Sequence, residues 1–271
     1  MGKIIKCNNY EFYYSLRGSP DKPLILFLHG FLGEGSEFNE VISLCSDQFY
    51  CLTVDLPGHG KTKVVGEEEC YTIPTTAQAL IKLLEQLSVK KCFLLGYSMG
   101  GRLALYLTLH FPDYFSKVVL ESASPGLKTA EERLERLQKD LKLAREIEAT
   151  DLSSFLLKWY NQPLFASIKK HSGFEKMMAR RLHNHPLELA KSLRYMSLGR
   201  QPSFWEQLKQ NENPLLLIVG EYDKKFISIN IEMAMTCKFA KLEIISDCGH
   251  NIHLENVKAF VKSLVAFLTA L

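Results

Sequence analysis

The sequence predicts an α/β protein: a mainly parallel sheet with helices on both faces, interrupted by a helical insertion. Three observations carry this. Short apolar runs recur along the chain and alternate with segments of helical spacing, the pattern of strand–helix–strand units. One run, Cys92-Phe93-Leu94-Leu95, passes directly into Gly96-Tyr97-Ser98-Met99-Gly100 and then into a helix-spaced segment. From about residue 127 to residue 207 the strand-like runs stop, and the chain becomes helical in pattern and strongly charged.

Taken in order, residues 11–16 read as an early edge strand. Residues 23–28 and 49–54 are apolar enough to be buried strands. Residues 75–87 place Ala77, Leu80, Ile81, Leu84 and Leu87 on one side, as an amphipathic helix does. Residues 92–97 form a strand. Met99, Leu103, Leu105, Tyr106 and Leu109 then give the helix after Ser98, and residues 117–120 another strand. Residues 215–219 and 242–245 are strands, and residues 255–271 a closing helix. Within the charged block, Thr129-Ala130-Glu131-Glu132 is a helix start, with threonine at the N-cap and acids in the first turn. The expected organisation is a core built from residues 1–126 and 208–271, with residues 127–207 as a helical lid. The lid holds Trp159, Tyr160, Phe165 and Trp205; a packing layer with no role in binding is the alternative.

Composition narrows the function. A chain of 271 residues supports one domain with a sizeable core and room for an insertion. The net charge of +3, with no dense Lys/Arg run, argues against a nucleic-acid partner. The longest apolar stretches, such as residues 24–28 and 215–219, are too short to span a bilayer, so no membrane insertion is expected. Met1-Gly2-Lys3-Ile4-Ile5-Lys6 lacks the apolar core of a secretory signal, and Lys6 stands where myristoylation wants Ser or Thr. Seven cysteines, an odd number with no C-x-x-C pair, read as reduced core thiols in a cytoplasmic setting. The His and Cys residues show no zinc spacing, and neither metal nor organic cofactor is expected.

The chemistry centres on Ser98. In G-x-S-x-G at a strand-to-helix turn, the flanking glycines let the backbone pass closely and the serine is pushed out of the sheet. Two further groups sit at strand ends. Gly220-Glu221-Tyr222-Asp223 follows residues 215–219, and Asp247-Cys248-Gly249-His250 follows residues 242–245. The order Ser98, Asp223, His250 is that of an α/β-hydrolase triad. In it His250 takes the serine proton and Asp223 fixes the imidazole tautomer. Glu221 is a rival acid, and Asp223 is otherwise free to pair with Lys224 or Lys225. His253 is a rival base, although the Gly249-His250 pairing favours His250. Leu28-His29-Gly30-Phe31-Leu32-Gly33 follows the strand at 23–28, so the amides of Phe31 and Met99 are candidates for an oxyanion site. His59, in Asp55-Leu56-Pro57-Gly58-His59-Gly60, reads as structural.

Together His29-Gly30-Phe31, residues 55–60, residues 96–100 and Gly249-His250 resemble the α/β-hydrolase superfamily across the whole chain. Narrower segments are similar to the 2-succinyl-6-hydroxy-2,4-cyclohexadiene-1-carboxylate synthase family of menaquinone and phylloquinone biosynthesis. They are residues 96–102, 121–127, 159–165, 201–205 and 220–226. Family usage also favours Asp223 over Glu221. The resemblance implies a lyase that eliminates pyruvate from a cyclohexene intermediate, with the triad serine as base. It implies a small polycarboxylate substrate and hence cationic partners. Arg102, one helical turn past Ser98, is the first candidate. Arg133 and Arg136 are candidates for a second clamp, and Tyr97 and Trp159 for pocket walls; the other readings are an ion pair with a nearby acid for Arg102, a solvated helix face for Arg133 and Arg136, and packing at the elbow for Tyr97. The alternatives are an esterase, thioesterase or carbon–carbon hydrolase using Ser98 covalently, or a non-catalytic binding member of the superfamily.

Overall fold

The chain opens with a hairpin in the computed structural model, which describes residues 2–270. β1 (Lys3–Cys7) lies antiparallel to β2 (Tyr10–Arg17). Cys7 pairs with Tyr10, so Asn8 and Asn9 make a two-residue turn, with Asn8 at a φ of 51°. Asparagine tolerates this left-handed backbone better than most residues. The remaining strands are β3 (Leu24–Leu28), β4 (Tyr50–Val54), β5 (Lys63–Val64), β6 (Cys92–Tyr97), β7 (Phe115–Glu121), β8 (Leu215–Gly220) and β9 (Ala240–Ile245).

Among the described residues these make a nine-stranded sheet in the order β1-β2-β4-β3-β6-β7-β8-β9, with β5 added to β2. From β4 to β9 every pairing is parallel. The strand expected at residues 11–16 is therefore not an edge. β1 takes that place, and its outer residues are solvated, so it shows no continuous apolar run. Interior strands such as β3 and β8 read as unbroken apolar runs because helices cover both their faces.

Helices α1 (Asn39–Cys45), α2 (Ile73–Gln86) and α3 (Met99–His110) precede β7. The insertion between β7 and β8 carries α4 (Ala130–Ala149), α5 (Leu152–Tyr160), α6 (Phe174–Arg181), α7 (Pro186–Tyr195) and α8 (Trp205–Leu208). Then come α9 (Lys224–Thr236), α10 (Ile252–Glu255) and α11 (Val257–Thr269). One face of the sheet packs residues such as Leu80, Leu103 and Met233 from α2, α3 and α9. The other packs Val41 and Leu264 from α1 and α11. The helix expected at 255–271 is broken at Asn256, whose side chain accepts from the Ala259 amide (3.3 Å) and starts α11 afresh. Leu271 lies outside the described residues.

The insertion is helical from its first residues. Thr129 accepts from the Glu132 amide (3.1 Å) while the Glu132 side chain accepts from the Thr129 amide (3.0 Å), the reciprocal capping box. Ala144, Ile147, Phe155, Leu156, Tyr160 and Leu189 form an apolar cluster that takes in Leu32 from the loop after β3. The insertion thus rests on that loop. Its last part returns to the core: Met196, Phe204, Trp205 and Leu208 are buried with the α2–α3 layer, across the expected boundary at residue 207.

Candidate active site

Ser98 stands between β6 and α3 with φ 50° and ψ −105°. A non-glycine residue on that side of the map costs about 1–3 kcal/mol and persists only where its surroundings hold it. Here the Ser98 amide donates to the Glu121 carbonyl at the end of β7 (2.9 Å). The Ser98 carbonyl accepts from the Arg102 amide (3.0 Å), the first bond of α3. The glycines on either side are needed for close approach. A Cβ on Gly96 would lie 2.4 Å from the Gly100 carbonyl oxygen, and one on Gly100 would lie 2.2 Å from the Leu28 carbonyl oxygen. Helix and sheet meet backbone to backbone, and this aims the serine outward.

The other two groups converge on it. Asp223 sits in the turn after β8, where its amide donates to the Gly220 carbonyl (3.0 Å) and its Oδ1 caps α9 by accepting from Phe226 N (3.2 Å). His250 lies in the loop after β9. Its Nδ1–H donates to Asp223 Oδ2 (2.6 Å), and its Nε2 accepts from Ser98 Oγ (3.0 Å). Both residues are buried. The rings of Phe226 (4.7 Å), Tyr97 (5.5 Å) and Phe165 (5.9 Å) surround the imidazole. These are the hydrogen bonds a serine–histidine–acid relay needs. The rivals are elsewhere: Glu221 is exposed and accepts from the Asp247 amide (3.2 Å).

The loop after β3 is held from below. His29 Nε2 accepts from the Leu56 amide (2.9 Å), and Asp55 accepts from the Gly35 and Lys61 amides (2.8 Å each). From above, Asn184 of the insertion donates to the Leu32 carbonyl (2.9 Å). Arg181 of α6 pairs with buried Glu37. Phe31 and Met99 both line the cleft. Among the described residues neither amide is donated to a protein acceptor, so both stay candidates for an oxygen in the cleft. His59 is buried, with Nδ1 donating to the Pro57 carbonyl (3.1 Å), and its ring meets Phe31 edge-on (5.5 Å).

The structure divides the remaining candidates. Arg102 lines the cleft and donates to Gln201 Oε1 (3.0 Å) and to the Met196 carbonyl (2.7 Å). Burial, and then the charge of Arg136, pull it down to about 10 against the opposing effect of Asp140, which still leaves it cationic at neutral pH. Arg136 also lines the cleft, donating to Asp140 Oδ1 (2.8 Å), whose other oxygen accepts from Ser197 (2.8 Å). Arg133 does not. Its guanidinium turns back to the carbonyls of Leu127 and Lys128 (3.3 Å each), because the face of α4 toward the cleft is Arg136, Lys139, Asp140 and Leu143. Trp159 lines the cleft, against Phe31 (5.4 Å). Tyr97 does not reach it. Its ring lies behind the imidazole, wedged between His250 (5.5 Å) and His253 (4.7 Å). Lys139, Lys225 and Phe226 also line the cleft; Lys225 and Phe226 fall in the segment 220–226 that carries the family resemblance, but the sequence reading assigns none of the three to the site.

One buried pair was invisible in the sequence. His253 donates its amide (3.0 Å) and its Nδ1–H (2.9 Å) to Glu121, and both side chains are fully buried. Glu121 therefore holds Ser98 through its carbonyl and the histidine loop through its carboxylate. Burial is the largest influence on His253 and disfavours its charged imidazole, but the charge and hydrogen bond of Glu121 together with the charge of Glu37 outweigh it, and the pKa is raised above its ordinary 6.5. A group whose folded pKa is raised contributes stability that is complete below the unfolded value and is lost as pH rises through the folded value. The melting-temperature gap between the wild type and His253→Gln should therefore narrow from pH 6 to pH 9. A gap that stays constant or widens contradicts a charged His253.

Among the described residues no group of three His, Cys, Asp or Glu side chains is placed to hold a metal ion. No described helix is long and apolar enough to cross a membrane. All seven cysteines are free and buried.

The sheet order, the strand–turn–helix at Ser98 and the hydrogen bonds that join Ser98, His250 and Asp223 are those of an α/β-hydrolase. The family model of the alpha/beta hydrolase fold matches residues 23–257, and the chain belongs to that family. A Bacillus subtilis (strain 168) protein, provisionally named 2-succinyl-6-hydroxy-2,4-cyclohexadiene-1-carboxylate synthase, is 36% identical over 91% of this chain and 90% of its own length. The synthase of that name from Serratia proteamaculans (strain 568) is 32% identical over 93% of this chain and 95% of its own. The structure of MenH from S. aureus is 33% identical, with a TM-score of 0.88 over 96% of this chain and 98% of that one. Within the α/β-hydrolases the chain belongs with these synthases.

Proposed function

We propose that this protein is a carbon–oxygen lyase. It would remove pyruvate from 2-succinyl-5-enolpyruvyl-6-hydroxy-3-cyclohexene-1-carboxylate to give 2-succinyl-6-hydroxy-2,4-cyclohexadiene-1-carboxylate. One observation carries this reading beyond the names of the relatives. Four cations, Arg102, Arg136, Lys139 and Lys225, line the cleft beside Ser98 against a single carboxylate, Asp140. A cleft so biased suits a ligand with several carboxylates, and this substrate has three: ring, succinyl and enolpyruvyl.

The chemistry follows from the relay. His250 Nε2 takes the Ser98 proton, and Asp223 steadies the resulting imidazolium. The alkoxide removes the proton at ring C2, which the adjoining succinyl carbonyl acidifies. The C2–C3 double bond forms, the C3–C4 pair moves to C4–C5, and the C5–O bond to the enolpyruvyl group breaks. Enolpyruvate takes up one proton as it becomes pyruvate, so the step is redox-neutral and needs no metal or organic cofactor. The Phe31 and Met99 amides hold the succinyl carbonyl oxygen while it carries negative charge. Arg102 and Arg136 hold carboxylates, Trp159 walls the apolar side, and residues 127–207 act as the lid. Seven free, buried thiols suit a reducing, cytoplasmic setting.

Purified protein should release one pyruvate per molecule of the cyclohexene intermediate. The same relay geometry would serve an esterase, which passes through an acyl-enzyme. Mass spectrometry of the quenched reaction separates the two. A Ser98 acyl adduct from simple esters, with no pyruvate from the intermediate, overturns the lyase. Arg102→Ala removes a charge-assisted contact of about 1.5–3 kcal/mol, so kcat/KM should fall about 10- to 100-fold, mainly through KM. Unchanged kinetics would take Arg102 out of the site.

A further inference from the structure

The cleft holds more positive charge than its two arginines account for. Lys139 and Lys225 stand on its rim from different parts of the chain. Lys139 lies on α4 of the insertion, one turn beyond Arg136. Lys225 lies in the first turn of α9, two residues beyond Asp223. Among the described residues neither ammonium forms an ion pair. The one acid of the cleft wall, Asp140, has both oxygens engaged, by Arg136 and Ser197.

The four cations line one cleft and act on one another. Arg136 acts on Arg102 at the foot of the cleft and on Lys225 at its rim. Partial burial, and then Arg136, hold the Lys225 ammonium below its ordinary value; Asp223 pulls the other way and Lys139 adds to the repulsion. Four like charges that converge with only Asp140 and Asp223 to oppose them are costly, and such an arrangement is typical of a place kept for an anion.

We propose that Lys139 and Lys225 form an outer carboxylate subsite, which holds the far end of an elongated polycarboxylate whose near end lies on Arg102. This rests on the lyase reading only for the identity of the natural ligand. On that reading the occupant is the succinyl carboxylate, which hangs on a flexible two-carbon tether and is the group able to reach the rim. Because one lysine belongs to the insertion and the other to the core, a carboxylate between them replaces a repulsion with two attractions. Substrate binding then draws the two parts together over Ser98. The lysines bind and select; they take no proton.

The test uses Lys139→Gln, Lys225→Gln and the double variant, each as the full chain. Calorimetry compares benzene-1,3,5-tricarboxylate with benzoate, and steady-state assays follow pyruvate released from the cyclohexene intermediate. Tricarboxylate affinity should fall about tenfold in the double variant, while benzoate affinity changes less than about twofold. KM for the intermediate should rise about tenfold with kcat within about threefold, and lysine-to-arginine variants should keep the wild-type values. Three results overturn the subsite: no tricarboxylate binding to the wild type, equal binding by wild type and double variant, or a fall in kcat at constant KM. The last would mean that Lys225 acts through Asp223. If the wild type releases no pyruvate, the lyase reading fails, and the calorimetry alone decides the subsite.

Discussion

Ser98→Ala should lower kcat about 10^5-fold while leaving polycarboxylate affinity within about threefold, as expected when one member of a relay that acts as a unit is lost. The change is local. Alanine keeps the Cβ and meets the same backbone restriction at φ 50°, and the Ser98 amide still donates to the Glu121 carbonyl. Only the hydroxyl that donates to His250 Nε2 (3.0 Å) is removed. The loss therefore appears in turnover and not in binding or melting temperature. Single-turnover measurement of pyruvate, beside calorimetry with benzene-1,3,5-tricarboxylate, reads both quantities. A variant retaining a tenth of wild-type kcat would show that Ser98 is not the base.

Asp223→Asn should cost about 10^4-fold in kcat, because in the proposed relay the acid sets a tautomer. Asp223 Oδ1 caps α9 at Phe226 N (3.2 Å), and Oδ2 accepts from His250 Nδ1–H (2.6 Å). In the asparagine the carbonyl oxygen keeps the cap, and the amide nitrogen is left facing Nδ1. Two donors then oppose each other. The imidazole responds by carrying its proton on Nε2, where it can no longer accept from Ser98. Since the helix cap survives, the melting temperature should move by no more than a few degrees, which for a chain of this size corresponds to about 1 kcal/mol. A large fall in melting temperature with modest loss of kcat would recast Asp223 as a structural cap.

The features legible from spacing alone share a short range; Asp223 and His250 are reached only through chain order and resemblance. The elbow is a strand, a turn and a helix within one continuous segment, and Arg102 shares a helix face with Ser98 by spacing alone. The capping box at Thr129 and Glu132 is likewise complete within four residues. What escaped detection is long-range. The Glu121–His253 partners are 132 residues apart. The edge strand β1 shows no apolar run because its pairing partner, not its composition, makes it a strand. Asn256 ends one helix and caps the next inside what reads as a single periodic segment.

The arginines of α4 mark the boundary between the two kinds of knowledge. Periodicity establishes that Arg133 and Arg136 lie near one side of a helix. It leaves open how that helix is rotated about its axis against the core. The rotation turns Arg136, Lys139 and Asp140 into the cleft and Arg133 back to the carbonyls before α4. Tyr97, which the resemblance offers as a pocket wall and its position beside Ser98 as an elbow packing residue, lies behind the imidazole and takes the second of these places. Local pattern, taken by itself, determined the strand–helix alternation and the elbow, because those depend on neighbours within a few residues, while chain order and family resemblance pointed to Asp223 and His250. Which charges share the cleft, and how many stand without a counter-charge, was decided only by tertiary packing. Helix rotation and the meeting of segments more than a hundred residues apart set those contacts, and neither leaves a periodic trace in the chain.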